Sequence, residues 1–454
     1  MKGLGEDDVN DIIQSLSLRG RDGVGYYIAQ KESNGIWNKK IINPENINLI
    51  LDVEYKWLIA NSRAIPTTEY ETDAGQDLKN QQPFMGERFV VVHNGIIAND
   101  KELIKKYKLN PESKVDTAIL PELFEKLGIV PALKELKGSF AILCYDKIDD
   151  ALYIAKNFMP LCWVQDKTIG GVVIASLKEM LPEKYREISE EISPYTCYQL
   201  NSDKSMKKYS LYPKERNKKV LVVCSGGIDS VVTAWVYKRL GYEVKLIHFK
   251  YGQAAQAAEL LCIKKLAEIL ESEPIIYDAR STFDIFKNTS KLLHQKEANA
   301  DDQMLDAEST LSYVPNRNAI LVMIAAGVAE MLHYDIVVYG GQQMDSVYPD
   351  NNPTFVDTLN QTLKYSLDWG TNVKFTAPLI HLIKHEIVEL GKKIKVPFEH
   401  TCSCYYPQVI GEEVLVCGKC GCCQFRVNAF KMVKEKSYVE DVDKFIEKYV
   451  KPFM

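Results

Sequence analysis

Apolar residues along this chain fall into short runs, and the rhythm of the runs changes near residue 220. Before it come strand-like stretches: GVGYYIA (23–29), KWLIANSRAI (56–65), RFVVVHNGII (88–97), GSFAILCYD (138–146), ALYIAKN (151–157) and GGVVIAS (170–176). Helical patterns such as DKELIKKYKL (100–109) and DTAILPELFEKLG (116–128) interrupt them. Hairpin-like runs with helices outside predict a layered α+β domain. After residue 220, VLVVC (220–224), EVKLIHF (243–249), EPIIYD (273–278) and DIVVYG (335–340) alternate with helical segments, which predicts a parallel sheet covered by helices on both faces. The polar, basic stretch 201–219 between the two patterns is nearly free of aliphatic residues and reads as a linker. The expected domains are 1–205 and 212–454. The longest apolar run, AILVMIAAGVAEML (319–332), is too short to span a bilayer and contains Glu330, so a buried helix is expected and no membrane partner.

The run VLVVC leads straight into Ser225-Gly226-Gly227-Ile228-Asp229-Ser230, and a helical pattern follows. Two glycines let the backbone pass close to an anion. The start of a helix then offers unpaired N–H groups and the positive end of a dipole to a phosphate. An SGGxDS turn after the first strand is the pyrophosphate loop of enzymes that cleave ATP to AMP and pyrophosphate while adenylating a substrate. The Lys of a GxxxxGK[ST] loop is missing, which excludes a kinase-type phosphate loop.

Other strand ends carry distinctive residues: Lys250-Tyr251-Gly252-Gln253, then Tyr313-Val314-Pro315-Asn316-Arg317-Asn318, then Gly340-Gly341-Gln342 with Asp345 and Tyr348-Pro349-Asp350, and Ala377-Pro378-Leu379 followed by Lys384-His385-Glu386. Singly these are ordinary turns and solvated charges. Grouped at strand ends, where open parallel sheets bind ligands, they make a candidate site. Arg317 and Lys384 are cations suited to a transition state that spreads charge over phosphates. Asp229 either holds Mg²⁺ or orients the loop.

The chain has 454 residues, 46% hydrophobic and 26% charged, with a formal net charge of −5. That is the balance of a soluble protein of two or three domains, with no general reason to expect a nucleic-acid partner. The acidic start without an apolar run predicts no leader and a cytoplasmic location. Six of the eleven cysteines lie between 402 and 423, a distribution that favours a metal site over disulfides. Cys404, Cys417, Cys420 and Cys423 form C-x12-C-x2-C-x2-C, a spacing that can place four thiolates on one tetrahedral Zn²⁺ or on an iron–sulfur cluster. Gly418 and Gly421 supply the turns, and Cys402 and Cys422 are surplus.

SGGIDS, YGQ, YVPNRN, D-x2-YPD, APL with a following Lys, and TCSCY…CGKCGCC-x2-R-x3-F, in that order over 220–432, resemble the motifs of the 7-cyano-7-deazaguanine synthase family. The resemblance implies ATP-dependent adenylation of the carboxylate of 7-carboxy-7-deazaguanine. An amine then displaces AMP to give an amide, and a second adenylation with dehydration gives the nitrile. It implies a Rossmann-like ATP pyrophosphatase fold in which the four cysteines hold a structural zinc. Ser225, Gly226, Gly227, Asp229, Ser230 and Gln253 are then expected at the nucleotide, with Asp229, Arg317 and Lys384 in catalysis. Asn318, Asp345, Tyr348 and Asp350 are expected at the base, because carboxylates suit the N–H donors of a guanine-like edge. Two features depart from the family: Cys402 stands where Trp is usual, and the C-x12-C loop is longer.

Residues 19–146 resemble the glutamine amidotransferase domain that uses an N-terminal cysteine. The matching pieces are Arg19-Gly20-Arg21-Asp22-Gly23 with Gly25, Asn61-Ser62-Arg63, His93-Asn94-Gly95-Ile96-Ile97-Ala98-Asn99, Asp116-Thr117, Leu136-Lys137-Gly138-Ser139-Phe140 and Tyr145-Asp146. The resemblance implies an αββα (Ntn-like) sandwich. That chemistry needs a cysteine right after the initiator Met, whereas residue 2 is Lys and the first cysteine is Cys144. Glutamine hydrolysis is therefore not expected. Arg63, Asn94, Gly95 and Asp116 read as relics of the fold, or as a shell that now binds another amine donor or a protein partner.

The leading expectation is an ATP-dependent ligase that joins a deazaguanine carboxylate to ammonia or to a larger amine, conceivable acceptors including a protein. Family members with extra domains resemble components of anti-phage islands. Competing readings are an asparagine-synthetase-like ligase, which shares the domain order but not the cysteines, and a catalytically silent nucleotide-binding scaffold. Direct tRNA modification is a further reading, which the acidic balance disfavours. The amine acceptor and the oligomeric state, including a homodimer, stay open.

Overall fold

The computed structural model describes residues 4–30, 35–49, 55–64, 77–166, 171–203, 205–211, 218–290, 293, 313–343, 348–368, 372–435 and 437–454. The chain divides into two compact units, Met1–Pro213 and Lys214–Met454.

Alternation drives the first unit. Along the strand Phe89–Ile97, Phe89 and Val91 face one core while Val90 and Val92 face another. This strand lies in a six-stranded sheet with Gly138–Asp146 and Ala151–Lys156. The helices Asp100–Tyr107, Leu120–Leu127 and Ile129–Glu135 cover its first face. Against the second face pack Tyr27, Trp57 and Ile59 of a three-stranded sheet containing Gly23–Gln30 and Tyr55–Arg63, together with Trp163 of a second small sheet. The outer side of these small sheets is covered by Glu6–Ser15 through Val9 and Ile13. The layers are thus helix, sheet, sheet, helix, the αββα arrangement. The expected linker is corrected at its start. Met206–Ser210 pairs antiparallel with Thr196–Asn201 and closes the edge of the six-stranded sheet, because a strongly polar strand is tolerated where one face meets water.

In the second unit five parallel strands form one sheet: β1 (Lys219–Val223), β2 (Glu243–Lys250), β3 (Ile275–Asp278), β4 (Ile336–Tyr339) and β5 (Lys374–Thr376), in the order 3-2-1-4-5. Val220 and Val222 face one helical layer and Leu221 the other. One layer holds α1 (Ile228–Arg239), α2 (Gln256–Ile269), α4 (Lys384–Lys393) and α5 (Gly421–Glu435). The other holds α3 (Arg317–Met331), the helix expected from the long apolar run. Its Leu321, Val322, Ala325 and Ala329 are buried, but Met331 is 68% exposed among the described residues, so α3 is half-buried and not fully buried as its composition predicts. Strand order reverses on either side of β1, and the loops after β1 and β4 flank that crevice.

Candidate active site and metal centre

The loop after β1 has the backbone that its glycines allow. Gly226 sits at φ +80°, and a Cβ there would come 3.0 Å from the Cβ of Cys262. Gly227 caps α1 without a side-chain partner. The N–H groups at the helix head have weak partners: Gly227 N donates to Ser225 Oγ at 3.3 Å and Ile228 N to Ser403 Oγ at 3.5 Å. Long hydroxyl contacts of this kind are readily replaced by phosphate oxygens. Ser230 Oγ lies 3.4 Å from Ser225 Oγ and donates to the Gly227 carbonyl at 3.1 Å. On the far side, a Cβ on Gly340 would stand 2.4 Å from Ser230 N, so the chain leaving β4 crosses directly over the helix head.

Lys384, the first residue of α4, reaches the loop. Its Nζ is 2.5 Å from Asp229 Oδ2, both side chains being about four-fifths buried (17% and 20% exposed). The other oxygen, Asp229 Oδ1, is buried and has no hydrogen-bond partner among the described residues. An orphaned carboxylate oxygen beside a helix head whose N–H groups have only long hydroxyl partners fits Mg²⁺, which rides on one or two carboxylates and a nucleotide's own oxygens.

Arg317 opens α3 after Asn316, which adopts the left-handed conformation at φ 53°. Burial alone would depress the guanidinium, but the phenols of Tyr251, Tyr405 and Tyr348 and the carboxylate of Asp350 raise it. Arg317 therefore stays charged inside a ring of tyrosines. The rings of Tyr313 and Tyr348 are nearly parallel, at 7° with centroids 6.4 Å apart. Asn318 N donates to Asp350 Oδ2 at 2.9 Å, and Asn318 Nδ2 to the Asp350 carbonyl at 3.2 Å. These two residues bind each other across the start of α3, which leaves Asp350 Oδ1 for other donors. Asp345 lies outside the described residues. Gln253 is turned inward: Oε1 accepts from Tyr251 N at 2.8 Å, and Nε2 donates to the Phe249 carbonyl at 2.9 Å and to Glu259 at 2.8 Å. It shapes the turn after β2 instead of lining the helix head.

The sulfurs of Cys404, Cys417, Cys420 and Cys423 lie within 4.8 Å of one another. Tyr406 N and Cys417 N point at Cys404 Sγ (3.4 and 3.3 Å), and Cys420 N at Cys417 Sγ (3.4 Å). Backbone donors aimed at sulfur support thiolate, the metal-binding form. Four converging soft donors, with no fifth residue in the group among the described residues, fit a closed structural metal site. The long C-x12-C loop is filled by a hairpin, Gln408–Ile410 with Glu413–Leu415, turning at Gly411. The cluster also braces the pyrophosphate loop, because Cys402 N donates to the Gly226 carbonyl at 2.9 Å. At position 402, a small side chain is buried in the core beside Cys262. Tyr405 bonds Cys422, so this surplus cysteine anchors a tyrosine of the Arg317 ring.

In the first unit, Asn94 Nδ2 is buried without a hydrogen-bond partner among the described residues, and Gly95 sits at φ +137°. Asp116 is turned toward the backbone: Oδ2 accepts from Ile97 N at 2.6 Å and Oδ1 from Thr117 N at 2.7 Å. Arg63 ends the strand Tyr55–Arg63. The three cysteines between residues 1 and 213 are Cys144, Cys162 and Cys197, all buried. Burial pushes the thiols of Cys144 and Cys162 up, and that of Cys197 to about 12. None is a nucleophile at neutral pH. Iodoacetamide applied to the folded protein is expected to leave all three unmodified by peptide mass spectrometry, and to label them after denaturation.

A parallel sheet of this order with a pyrophosphate loop, a lysine–aspartate pair at the helix head and a four-cysteine knuckle defines an ATP-dependent ligase of the AMP-forming class. Residues 219–434 match the family model described as queuosine biosynthesis protein QueC, and residues 72–183 match a glutamine amidotransferase domain. The chain is 36% identical over 444 residues to a 7-cyano-7-deazaguanine synthase of Saccharolobus solfataricus, with 94% of each chain covered. It is 36% identical to 7-cyano-7-deazaguanine synthase 2 of Sulfurisphaera tokodaii, again over 94% of each. The enzyme of that name from Methanocaldococcus jannaschii matches at 39% over 50% of this chain and 100% of its own length. The chain belongs to the 7-cyano-7-deazaguanine synthase family, with a glutamine amidotransferase-like domain preceding the ligase domain. No described helix is long and apolar enough to cross a membrane.

Proposed function

We propose that the protein uses ATP to adenylate the carboxylate of 7-carboxy-7-deazaguanine and passes the acyl group to an amine. Ammonia gives the amide and releases AMP; a second adenylation, now on the amide oxygen, gives the nitrile as AMP leaves carrying that oxygen. The observation that carries this reading is the Lys384–Asp229 pair, with Asp229 Oδ1 unpartnered at the head of α1. The helix head and Ser225–Ser230 hold the phosphates. Lys384 and Arg317 offset the charge that builds on pyrophosphate as it leaves. Asp229 Oδ1 would be a ligand for Mg²⁺, which would supply charge neutralisation at the phosphate oxygens. Tyr348, with Asn318 and Asp350, lies beside Arg317 at the end of the sheet, where a planar base can stack and give its N–H donors to a carboxylate oxygen. Zn²⁺ is the ion proposed for the four cysteines, because a closed set of four thiolates suits it.

The test is incubation of the protein with ATP, Mg²⁺, the deazaguanine acid and ammonium, followed by mass analysis. Expected are AMP, pyrophosphate and a product in which a carboxylate oxygen has been exchanged for nitrogen. Absence of deazaguanine-dependent AMP with every amine tried sinks the reading. Buried, high-pKa thiols in the first unit favour an amine that does not come from glutamine hydrolysis. Glutamine is therefore expected not to replace ammonium. A larger acceptor, such as a protein amine in an anti-phage role, predicts a conjugate in place of the nitrile in the same mass analysis.

A further inference from the structure

Two titratable side chains beneath the pyrophosphate loop, His248 fully buried and Glu259 largely so with 15% exposed, have no part in the chemistry above. His248, near the end of β2, is 1% exposed, and its Nδ1 lies 3.0 Å from the Cys224 carbonyl oxygen. A carbonyl oxygen only accepts, so Nδ1 carries the proton, and Nε2 of the neutral ring is an acceptor. That Nε2 is buried and has no hydrogen-bond partner among the described residues. The group facing it is Glu259 Oε2, at 3.9 Å. Glu259 comes from the first turn of α2, and its Oε2 accepts from Gln253 at 2.8 Å.

Both residues touch the loop from below. His248 holds the carbonyl of Cys224, the residue just before Ser225. The backbone of Glu259 is the floor under Gly226, where a Cβ would come 3.6 Å from the Glu259 carbonyl oxygen. Two buried acceptors facing each other are unfavourable, and one proton between them turns repulsion into a hydrogen bond. Closing 3.9 Å to a bond of roughly 2.8 Å takes a side-chain shift of about 1 Å.

We propose that His248 and Glu259 share one proton and act as positioning residues that set the backbone of the pyrophosphate loop through the Cys224 carbonyl and the floor beneath Gly226. Losing that proton puts two acceptors face to face, displaces the Cys224 carbonyl and weakens ATP binding. The proposal rests on the reading of Ser225–Ser230 as the ATP phosphate site.

The surroundings make Glu259 the group that changes charge near neutrality. Burial raises its carboxyl to about 7, against the opposing pull of the Gln253 hydrogen bond and the Arg317 charge. Burial depresses His248; the bond to the Cys224 carbonyl works against this and Lys250 adds to it, so the shared proton rests on Glu259. Lys250, on the same strand, is paired with Asp278 at 3.3 Å. Cys224 and Cys262 are pushed up to about 11 and 12, and Cys402 and Tyr251 are raised as well, so these groups stay neutral. Arg317 on α3 stays charged.

The test compares the full-length wild type with Glu259→Gln, whose amide N–H can donate permanently to His248. ATP binding is measured by calorimetry from roughly pH 6 to 9, with no deazaguanine present. The wild-type Kd is expected to climb above a pH of about 7, by up to about tenfold per pH unit. Glu259→Gln should keep the low-pH affinity throughout, and the ratio of the two cancels the titration of the nucleotide itself. Glu259→Ala should bind weakly at every pH. Melting is the control. A carboxyl raised in the folded state contributes stability that is lost as pH rises from its ordinary range through about 7, so Glu259→Gln should melt higher than the wild type above that pH. Parallel Kd profiles for the wild type and Glu259→Gln overturn the pair's role, even with a melting shift, and leave the loop reading standing. No ATP binding at any pH overturns both.

Discussion

Replacing Lys384 with alanine lowers deazaguanine-dependent pyrophosphate release by about 10²- to 10³-fold, a loss of about 2.7–4 kcal/mol of transition-state stabilisation. Two effects add. The positive charge paired with Asp229 disappears from the head of α1, where the proposed reading puts the phosphate oxygens. Asp229, whose Oδ2 sat 2.5 Å from Nζ and whose Oδ1 already lacked a partner, becomes a largely buried carboxylate without its lysine, beside an anion. Lys384→Arg, which keeps the charge, should recover part of the rate. Asp229→Asn keeps the shape but removes a metal-binding oxygen, and should raise the Mg²⁺ needed for half-maximal rate. The assay is steady-state pyrophosphate release at saturating ATP, with the melting temperature as a check on folding. A Lys384→Ala rate within about threefold of wild type, under 1 kcal/mol, removes the lysine from the mechanism.

Removing the metal, by chelation or by Cys420→Ser, is expected to damage the nucleotide site as well as its own corner. The knuckle reaches the loop through Cys402 N and the Gly226 carbonyl at 2.9 Å, and through Ser403 at the N–H of Ile228. It also places Tyr405 beside Arg317. Arg426 ties the segment to α5, giving Nη1 to Thr401 at 2.8 Å and Nη2 to the Phe398 carbonyl at 2.9 Å. Structural metal sites contribute free energy directly to folding. A loss of about 4–5 kcal/mol in a unit of this size lowers Tm by roughly 10–20 °C. ATP affinity should fall by about tenfold or more, because the helix head loses its brace. Cys422→Ser serves as the contrast, since Cys422 is outside the four-sulfur group and should keep one metal per chain by elemental analysis. Cys420→Ser with a full equivalent of metal and wild-type melting would falsify the assignment.

Strongly periodic elements were legible from the residues alone. The strands at 89–97 and 138–146, the four apolar strands from 219 onward and the glycine turn at 226–227 all follow from alternation and local chemistry. The pieces that were not legible share a physical reason. β5 is three residues long, too short to show a period. Met206–Ser210 is a strand because a neighbour offers its edge, which its own polar residues do not announce. The hairpin inside the C-x12-C loop is held at both ends by the cysteines. At the site, the residue types at Asp229, Arg317 and Lys384 pointed to phosphate chemistry, but the unpartnered Oδ1 of Asp229 is a property of packing. So is the pairing of Asn318 with Asp350. His248 and Glu259 gave no signal, because a histidine in an apolar strand and a glutamate in a helix's first turn are ordinary until the fold buries them 3.9 Å apart.

The bond from Cys402 to Gly226 also sets an order of events. Its neighbour, the contact between Ile228 and Ser403, spans 175 residues of chain. During synthesis the glycine turn emerges long before the segment that braces it, and closing so distant a contact is slow compared with forming β1 and α1. The glycine turn is therefore expected to stay unbraced until the cysteine segment has folded against it. On the proposed reading of the glycine turn and the four cysteines, ATP affinity is expected to appear late in refolding and to depend on added metal.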